Sequence, residues 1–293
     1  MKLIRPSFEI IDQQSGLEGV YKQIELAGRT CYKSEDKITE TSAKEFVDRM
    51  IKSGHGAMLE HGTIYLDCPQ HVFTKYIDNP YSKCEYTKSH IEMDEEYCSS
   101  LYYTDKQEYF FVTTNMRVLI ENGWLDDLQY LCEPTEYHEK RHTVKFICDR
   151  GILAEFTRHR SMSFAAESTR YCNYSKDKFG NEITFVFPIW MDEELLNSYG
   201  SYHTVARSNT PESIFIAGLN NAEKDYLSLI NMGWKAQEAR AILPNALKTE
   251  LVMTGFVSDW KHFFELRDAK SAHPQALELA SPLHQEFITR KYI

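Results

Sequence analysis

Nothing in these 293 residues approaches the run of about 18 to 20 apolar residues that spans a bilayer. The opening stretch MKLIRPSFEI turns polar too soon for a secretory signal, so a cytoplasmic protein with no membrane partner is expected. Positive charge is also scarce. Lys and Arg number 33 against 43 Asp and Glu, a net charge of −10, whereas affinity for a polyanion rests on a broad basic surface. General nucleic-acid binding is therefore not expected, and any basic chemistry must be local. The seven cysteines (Cys31, Cys68, Cys84, Cys98, Cys132, Cys148, Cys172) are odd in number and contain no C-x-x-C pair. That fits a reduced compartment and small buried thiols, and it argues against structural zinc. No Gly/Ser/Pro-rich linker divides the chain, and 42% apolar content suffices for a full core, so one domain over residues 1–293 is expected.

Periodicity supplies the elements. Leu17, Val20, Tyr21, Ile24 and Ala27 recur at helical spacing and predict a first helix ending near Gly28. A second helix opens at Ser42, where Glu45 completes a capping box. It carries Ala43, Phe46, Val47, Met50 and Ile51 on one face and stops at Gly54. It leads into GHGAMLEHGTIYLDC, in which His55, Glu60 and His61 precede a strand with alternating Ile64 and Leu66; histidines at such a corner ordinarily make structural hydrogen bonds. Residues 68–142 are rich in Tyr, Lys and acids and read as an elaboration of the same domain, with a strand over Tyr109–Thr114 and a short helix over Met116–Asn122. His138-Glu139-Lys140-Arg141-His142 matches H-E-x-x-H, but Lys140 and Arg141 would repel a dication, so no metal site is expected there.

From Val144 a stripe of Val144, Ile147, Cys148, Ile152 and Phe156 predicts a helix that delivers Arg158. A turn within KDKFGNE, around Gly180-Asn181, leads to alternating Ile183, Phe185 and Phe187. Thr210-Pro211-Glu212 then opens a helix with Phe215, Leu219, Ala222, Tyr226, Leu229 and Ile230 inward and a stop at Gly233, and the last hundred residues read as helical.

The stretch with the densest chemistry is RHRSMSFAAESTRY, Arg158 to Tyr171. Three potential cations in succession repel one another unless an anion or facing carboxylates neutralise them. Arg170, Ser168 and Thr169 add a further guanidinium fork and short hydroxyls, which is phosphate-binding chemistry. A surface turn paired with neighbouring acids is the alternative.

This stretch resembles the signature of the flavin-dependent thymidylate synthases, the ThyX family, RHRxxSxNExSxR: Arg158, His159, Arg160, Ser163, Ser168 and Arg170 fall in register. Ala165-Ala166 stand where the pattern has Asn-Glu, and the acid comes one place later as Glu167. The GHxxxxEH segment is also similar, as is AQEARAILPNALKTELVMTGFVSDWKHFFELRDAKSAHPQALELA. The resemblance implies an α/β fold, a single ThyX-like domain with a mixed sheet, flanking helices and a helical C-terminal third. Compact family members lack most of the 68–142 segment. It also implies conversion of dUMP to dTMP, with 5,10-methylenetetrahydrofolate as one-carbon donor and NADPH reducing bound FAD, in a homotetramer with shared active sites.

Residue by residue, the resemblance implies cofactor contacts at His55, Arg158, His159, Arg160, Glu167 and, in place of a family asparagine, His262. It implies substrate contacts at Arg158, Glu167, Ser168, Thr169, Arg170 and Arg240, with Arg267 as the catalytic arginine that activates the pyrimidine. Spacing alone leaves Arg240 open to pairing with Glu238 or Glu250, and Arg267 with Asp268. Two other functions fit parts of the pattern: a flavin-dependent uracil methyltransferase acting on RNA, against which −10 speaks, and a non-enzymatic phosphate-binding module.

Overall fold

A computed structural model describes residues 1–88, 108–176, 179–192 and 210–293. Cys98, residues 177–178 of the expected turn and residues 89–107 of the elaboration lie outside them. In chain order the elements are β1 (Lys2–Ile4), β2 (Ser7–Ile11), α1 (Gly16–Tyr32), α2 (Ser42–Ser53), α3 (Gly56–Leu59), β3 (Thr63–Cys68), α4 (Gln70–Phe73), β4 (Lys83–Lys88), β5 (Glu108–Asn115) and α5 (Met116–Asn122). They continue with β6 (Arg141–Asp149), α6 (Arg150–Phe156), β7 (Ser163–Ala166), β8 (Thr184–Val186), α7 (Pro211–Asn231), α8 (Ala236–Ala239), β9 (Lys248–Phe256), α9 (Val257–Arg267) and α10 (Pro274–Thr289). This is the expected α/β class. The chain divides into two compact units, one of residues 13–25 and 40–141 (the three-strand unit) and one of residues 1–12, 26–39 and 142–293 (the arginine-motif unit).

In the three-strand unit the sheet runs β3-β5-β4, antiparallel throughout. Ile64, Leu66 and Val112 are fully buried against Phe46, Val47, Leu119 and Tyr76. α2 ends as expected at Gly54, whose φ of 71° needs the left-handed freedom of glycine. Its start differs by one residue. Thr41 takes the cap position, and the Ser42 hydroxyl donates to the Glu25 carboxylate at 2.8 Å. The H-E-x-x-H match forms no helix: His138 sits in a turn, and its Nε2 donates to the Leu66 carbonyl at 3.1 Å. Among the described residues no His/Cys/Asp/Glu group could hold a metal ion.

The arginine-motif unit holds a four-stranded sheet, β2-β6-β9-β7, and a parallel pair, β1 with β8. Trp260, Phe146, Phe156, Phe263 and Phe287 fill its core, and the Trp260 indole donates to the His142 carbonyl at 3.1 Å. One expectation changes here. Residues 144–149 are strand, not helix: Val144, Phe146 and Cys148 are each 0% exposed, and residues 143–147 of β6 pair antiparallel with β2. Their period of two competes with the helical stripe read from Val144, Ile147 and Cys148, and cross-strand pairing decides it. The helix begins at Arg150, capped by the Asp149 carboxylate, which accepts from Ile152 N–H at 2.8 Å.

Over the described residues 210–293 the C-terminal part is helical around the strand β9, whose near-continuous burial suits an interior strand. α7 starts as expected with Thr210 as cap and Pro211 in the first turn. The Gly180-Asn181 turn is present, with φ of 69° and 54°. Among the described residues no helix is long and apolar enough to cross a membrane.

Candidate active site

Strand β6 and helix α6 carry the chain to Arg158-His159-Arg160, and β7 then carries it to Glu167–Arg170. The middle residue of the triplet turns inward while its neighbours turn out: His159 is buried, Arg158 and Arg160 are exposed. His159 packs against Phe263 with ring centroids 5.0 Å apart, and Arg267 Nε donates to its Nε2 at 3.1 Å. Burial and the Arg267 charge together push the imidazole down to about 4, so it is neutral at pH 7, accepting through Nε2 and carrying its proton on Nδ1.

The same arginine donates to the Glu155 carboxylate and to the Glu155 carbonyl, each at 2.7 Å. Its partners are therefore Glu155 and His159. Asp268, the neighbour that spacing suggested, turns instead to Ser281 and His284. His262 lies 6.0 Å ring to ring from His159, exposed on α9 and 3.3 Å from Glu265.

Beyond β7, Arg240 donates to Thr169 Oγ1 at 3.1 Å, joining two residues 71 apart in sequence. Ser168 N–H donates to the Cys31 carbonyl at 3.0 Å, and Arg170 lies over the Tyr171 ring, 5.4 Å from its centroid. Among the described residues no carboxylate forms an ion pair with Arg158, Arg160, Arg170 or Arg240.

Ala165 and Ala166 occupy β7, paired with Val252 and Leu251. Burial alternates along it, Ser163, Ala165 and Glu167 on the buried side and Phe164 and Ala166 on the other. Moving the acid by one place thus sends it to the opposite face of the strand. Glu167 is 3% exposed and binds Lys248 Nζ at 2.8 Å, and the Tyr174 hydroxyl donates to it at 3.3 Å.

Lys248 belongs to a buried charge cluster that the sequence reading missed. Lys248 and Lys33 reach Glu250 Oε1, and Lys145 reaches Glu250 Oε2 at 2.7 Å; Lys33 also meets Glu35 at 3.0 Å. Burial pushes the Glu250 carboxyl up, but the three lysines outweigh it and hold it at about 2. The Glu250 carbonyl accepts from Glu167 N–H at 2.8 Å, so the cluster braces the start of the Ser168–Arg170 turn. A signal did exist: Lys248 and Glu250, two apart in a buried strand, share a face, and charges so placed must be paired. Glu155 was missed as well, since nothing in its spacing announces Arg267.

His55, the remaining candidate, lies in the three-strand unit, exposed and at the cap position of α3. The structure thus joins Arg267 with His159, Arg240 with Thr169, and Glu167 with Lys248.

Comparison with known proteins gives a match of residues 135–290 to the family model described as thymidylate synthase complementing protein. The flavin-dependent thymidylate synthase of Pyrococcus furiosus is 30% identical over 145 residues, covering 49% of this chain and 52% of that protein. The probable flavin-dependent thymidylate synthase of Paramecium bursaria Chlorella virus 1 is 29% identical over 153 residues, 50% of this chain and 65% of its own length. The chain thus spans between about half and two thirds of these curated relatives. A solved structure, a UMP/dUMP methylase PolB from Streptomyces cacaoi bound with 5-Br dUMP, aligns over 99% of this chain and 93% of its own, with a TM-score of 0.42 and 17% identity.

Proposed function

The chain belongs to the thymidylate synthase complementing protein family, the flavin-dependent thymidylate synthases, and from that premise we propose that it methylates dUMP to dTMP. In this proposal 5,10-methylenetetrahydrofolate donates the carbon, NADPH is the reductant, and residues 1–293 act as one catalytic domain in a homotetramer. The observation that carries it is the set of exposed arginines, Arg158, Arg160 and Arg170, without an ion pair among the described residues of a chain with net charge −10. A surface turn in so acidic a protein would draw carboxylates onto them; guanidinium forks left open suit phosphate oxygens.

That donor set fits the diphosphate of FAD, which Arg158 and Arg160 would hold, with His159 and His262 as further candidate contacts. When bound, FAD would supply the two-electron hydride chemistry that links NADPH to the pyrimidine. The chain's own residues bind and orient. Ser168, Thr169, Arg170 and Arg240 present hydroxyls and guanidinium groups to the nucleotide phosphate, and Glu167 supports that turn through Lys248.

Arg267 is held on one side by Glu155 and His159, which take three of its five N–H donors and leave two for a ligand. Uracil C5 becomes nucleophilic most easily from an N3-deprotonated ring, and a fixed guanidinium against the N3 and carbonyl edge stabilises that anion. Neutral His159 assists by accepting a hydrogen bond without adding a competing positive charge. The test is a turnover assay with dUMP, methylenetetrahydrofolate and NADPH, alongside a visible spectrum of the purified protein. Formation of dTMP by yellow protein is expected; colourless protein that makes no dTMP and leaves the fluorescence of added FAD unchanged overturns the proposal.

A further inference from the structure

In the three-strand unit, the face of the sheet turned away from the core carries chemistry that the nucleotide reading does not use. Register sets Asp67 beside Phe111 and Thr87 beside Tyr109. Residues two apart on a strand share a face, so these four project together, opposite to buried Leu66 and Val112. Tyr137 stacks on Phe111 with centroids 5.0 Å apart and planes at 16°, and Tyr109 lies 6.4 Å from Phe111 at 10°. The three rings, with Asp67, Glu136 and Thr87, line a cleft of about 660 Å³.

Its electrostatics are one-sided. Asp67 and Glu136 are exposed, and among the described residues neither forms an ion pair with a lysine or arginine. Aromatic faces are themselves electron-rich and repel anions. His138, edge-on to Phe111 at 5.2 Å, is kept neutral by burial and adds no compensating charge. A wall of π faces beside two carboxylates, in a chain of net charge −10, is complementary to positive charge.

Ring geometry narrows the class. Quaternary ammonium groups are recognised by rings set as a box, whereas these three are nearly parallel and offer one continuous stacking direction. A planar delocalised cation lies flat on such a face and turns its N–H edge to carboxylates. We propose that this cleft binds a small planar organic cation of the guanidinium or amidinium class, stacked on Tyr137 and paired with Asp67 and Glu136. The inference is independent of the dUMP reading, since every lining residue lies in the three-strand unit.

Titration of the full chain with benzamidinium, by calorimetry at low salt, tests it. Saturable one-to-one binding is expected, at least tenfold tighter than tetramethylammonium, and weakened tenfold or more by Tyr137→Ala and by the pair Asp67→Asn with Glu136→Gln. All three positions are exposed, and an unchanged thermal melt of each variant shows that the fold is retained. If Tyr137→Ala does not fold, the carboxylate pair decides alone. Absence of saturable binding, equal affinity for tetramethylammonium, or affinity that the carboxylate pair leaves unchanged overturns the proposal.

Discussion

Replacing Glu250 by Gln keeps the volume of the side chain and removes the one buried carboxylate that three half-buried lysines share. The folded protein holds this group at about 2 against an ordinary value of 4.5, a preference for the charged form of about 3 kcal/mol at neutral pH. That agrees with the roughly 3 to 5 kcal/mol lost when one partner of a buried ion pair is removed. The sign follows from the depression: the contribution is complete above about pH 4.5 and disappears as pH falls toward 2. Urea unfolding of parent and Glu250→Gln at pH 7 is therefore expected to differ by about 3 kcal/mol, and the gap shrinks by about 1.4 kcal/mol for each unit below 4.5. Measurements at pH 7 and 3.5 suffice. A gap under about 1 kcal/mol at pH 7, or one that is the same at both pH values, refutes the account of Glu250 as the centre of the cluster.

Arg267→Ala is expected to lower dUMP methylation by a hundredfold or more, the usual loss for a preorganised donor to developing charge, while NADPH still reduces the flavin. Near-normal turnover removes Arg267 from the mechanism, and loss of bound FAD makes its role structural. Arg170→Ala is expected chiefly to raise the dUMP concentration needed, read as KM against kcat. No single Cys→Ala change is expected to abolish dTMP formation, since burial pushes Cys68 up to about 12 and Cys84 and Cys132 up to about 11, far from thiolate reactivity at pH 7; one inactive variant in an assay of all seven restores a covalent route. Trp260→Ala removes a fully buried indole and its hydrogen bond to His142, and a loss of about 3 to 5 kcal/mol in denaturant unfolding checks this.

What the sequence revealed about the fold was whatever local chemistry determines. Gly54, Thr210 and Pro211 act through their own backbone geometry, and the structure places them at the expected helix ends. What it concealed depends on residues distant in the chain. Nothing within Val144–Asp149 distinguishes a helical stripe from a strand until β2 is known to lie alongside, and β9 becomes a strand through its place beside β7 and in the sheet's interior. The candidate site divides in the same way. The arginines were legible because motif residues are contiguous, whereas Glu155, Lys33 and Lys145 reach their partners only after folding.

The order in which those distant partners leave the ribosome has a consequence for biogenesis. Residues 13–25 and 40–141 are all synthesised before β6 is complete, so the three-strand unit can fold while the rest of the chain is still being made. β2 must wait for residues 143–147, and β1 for residues 184–186, to find the strands they pair with. Until then two N-terminal strands stand unpaired, edges open to wrong pairing. The arginine-motif unit is accordingly the slow-folding, non-local half of the molecule, where recombinant expression should respond most to lower temperature and to chaperones.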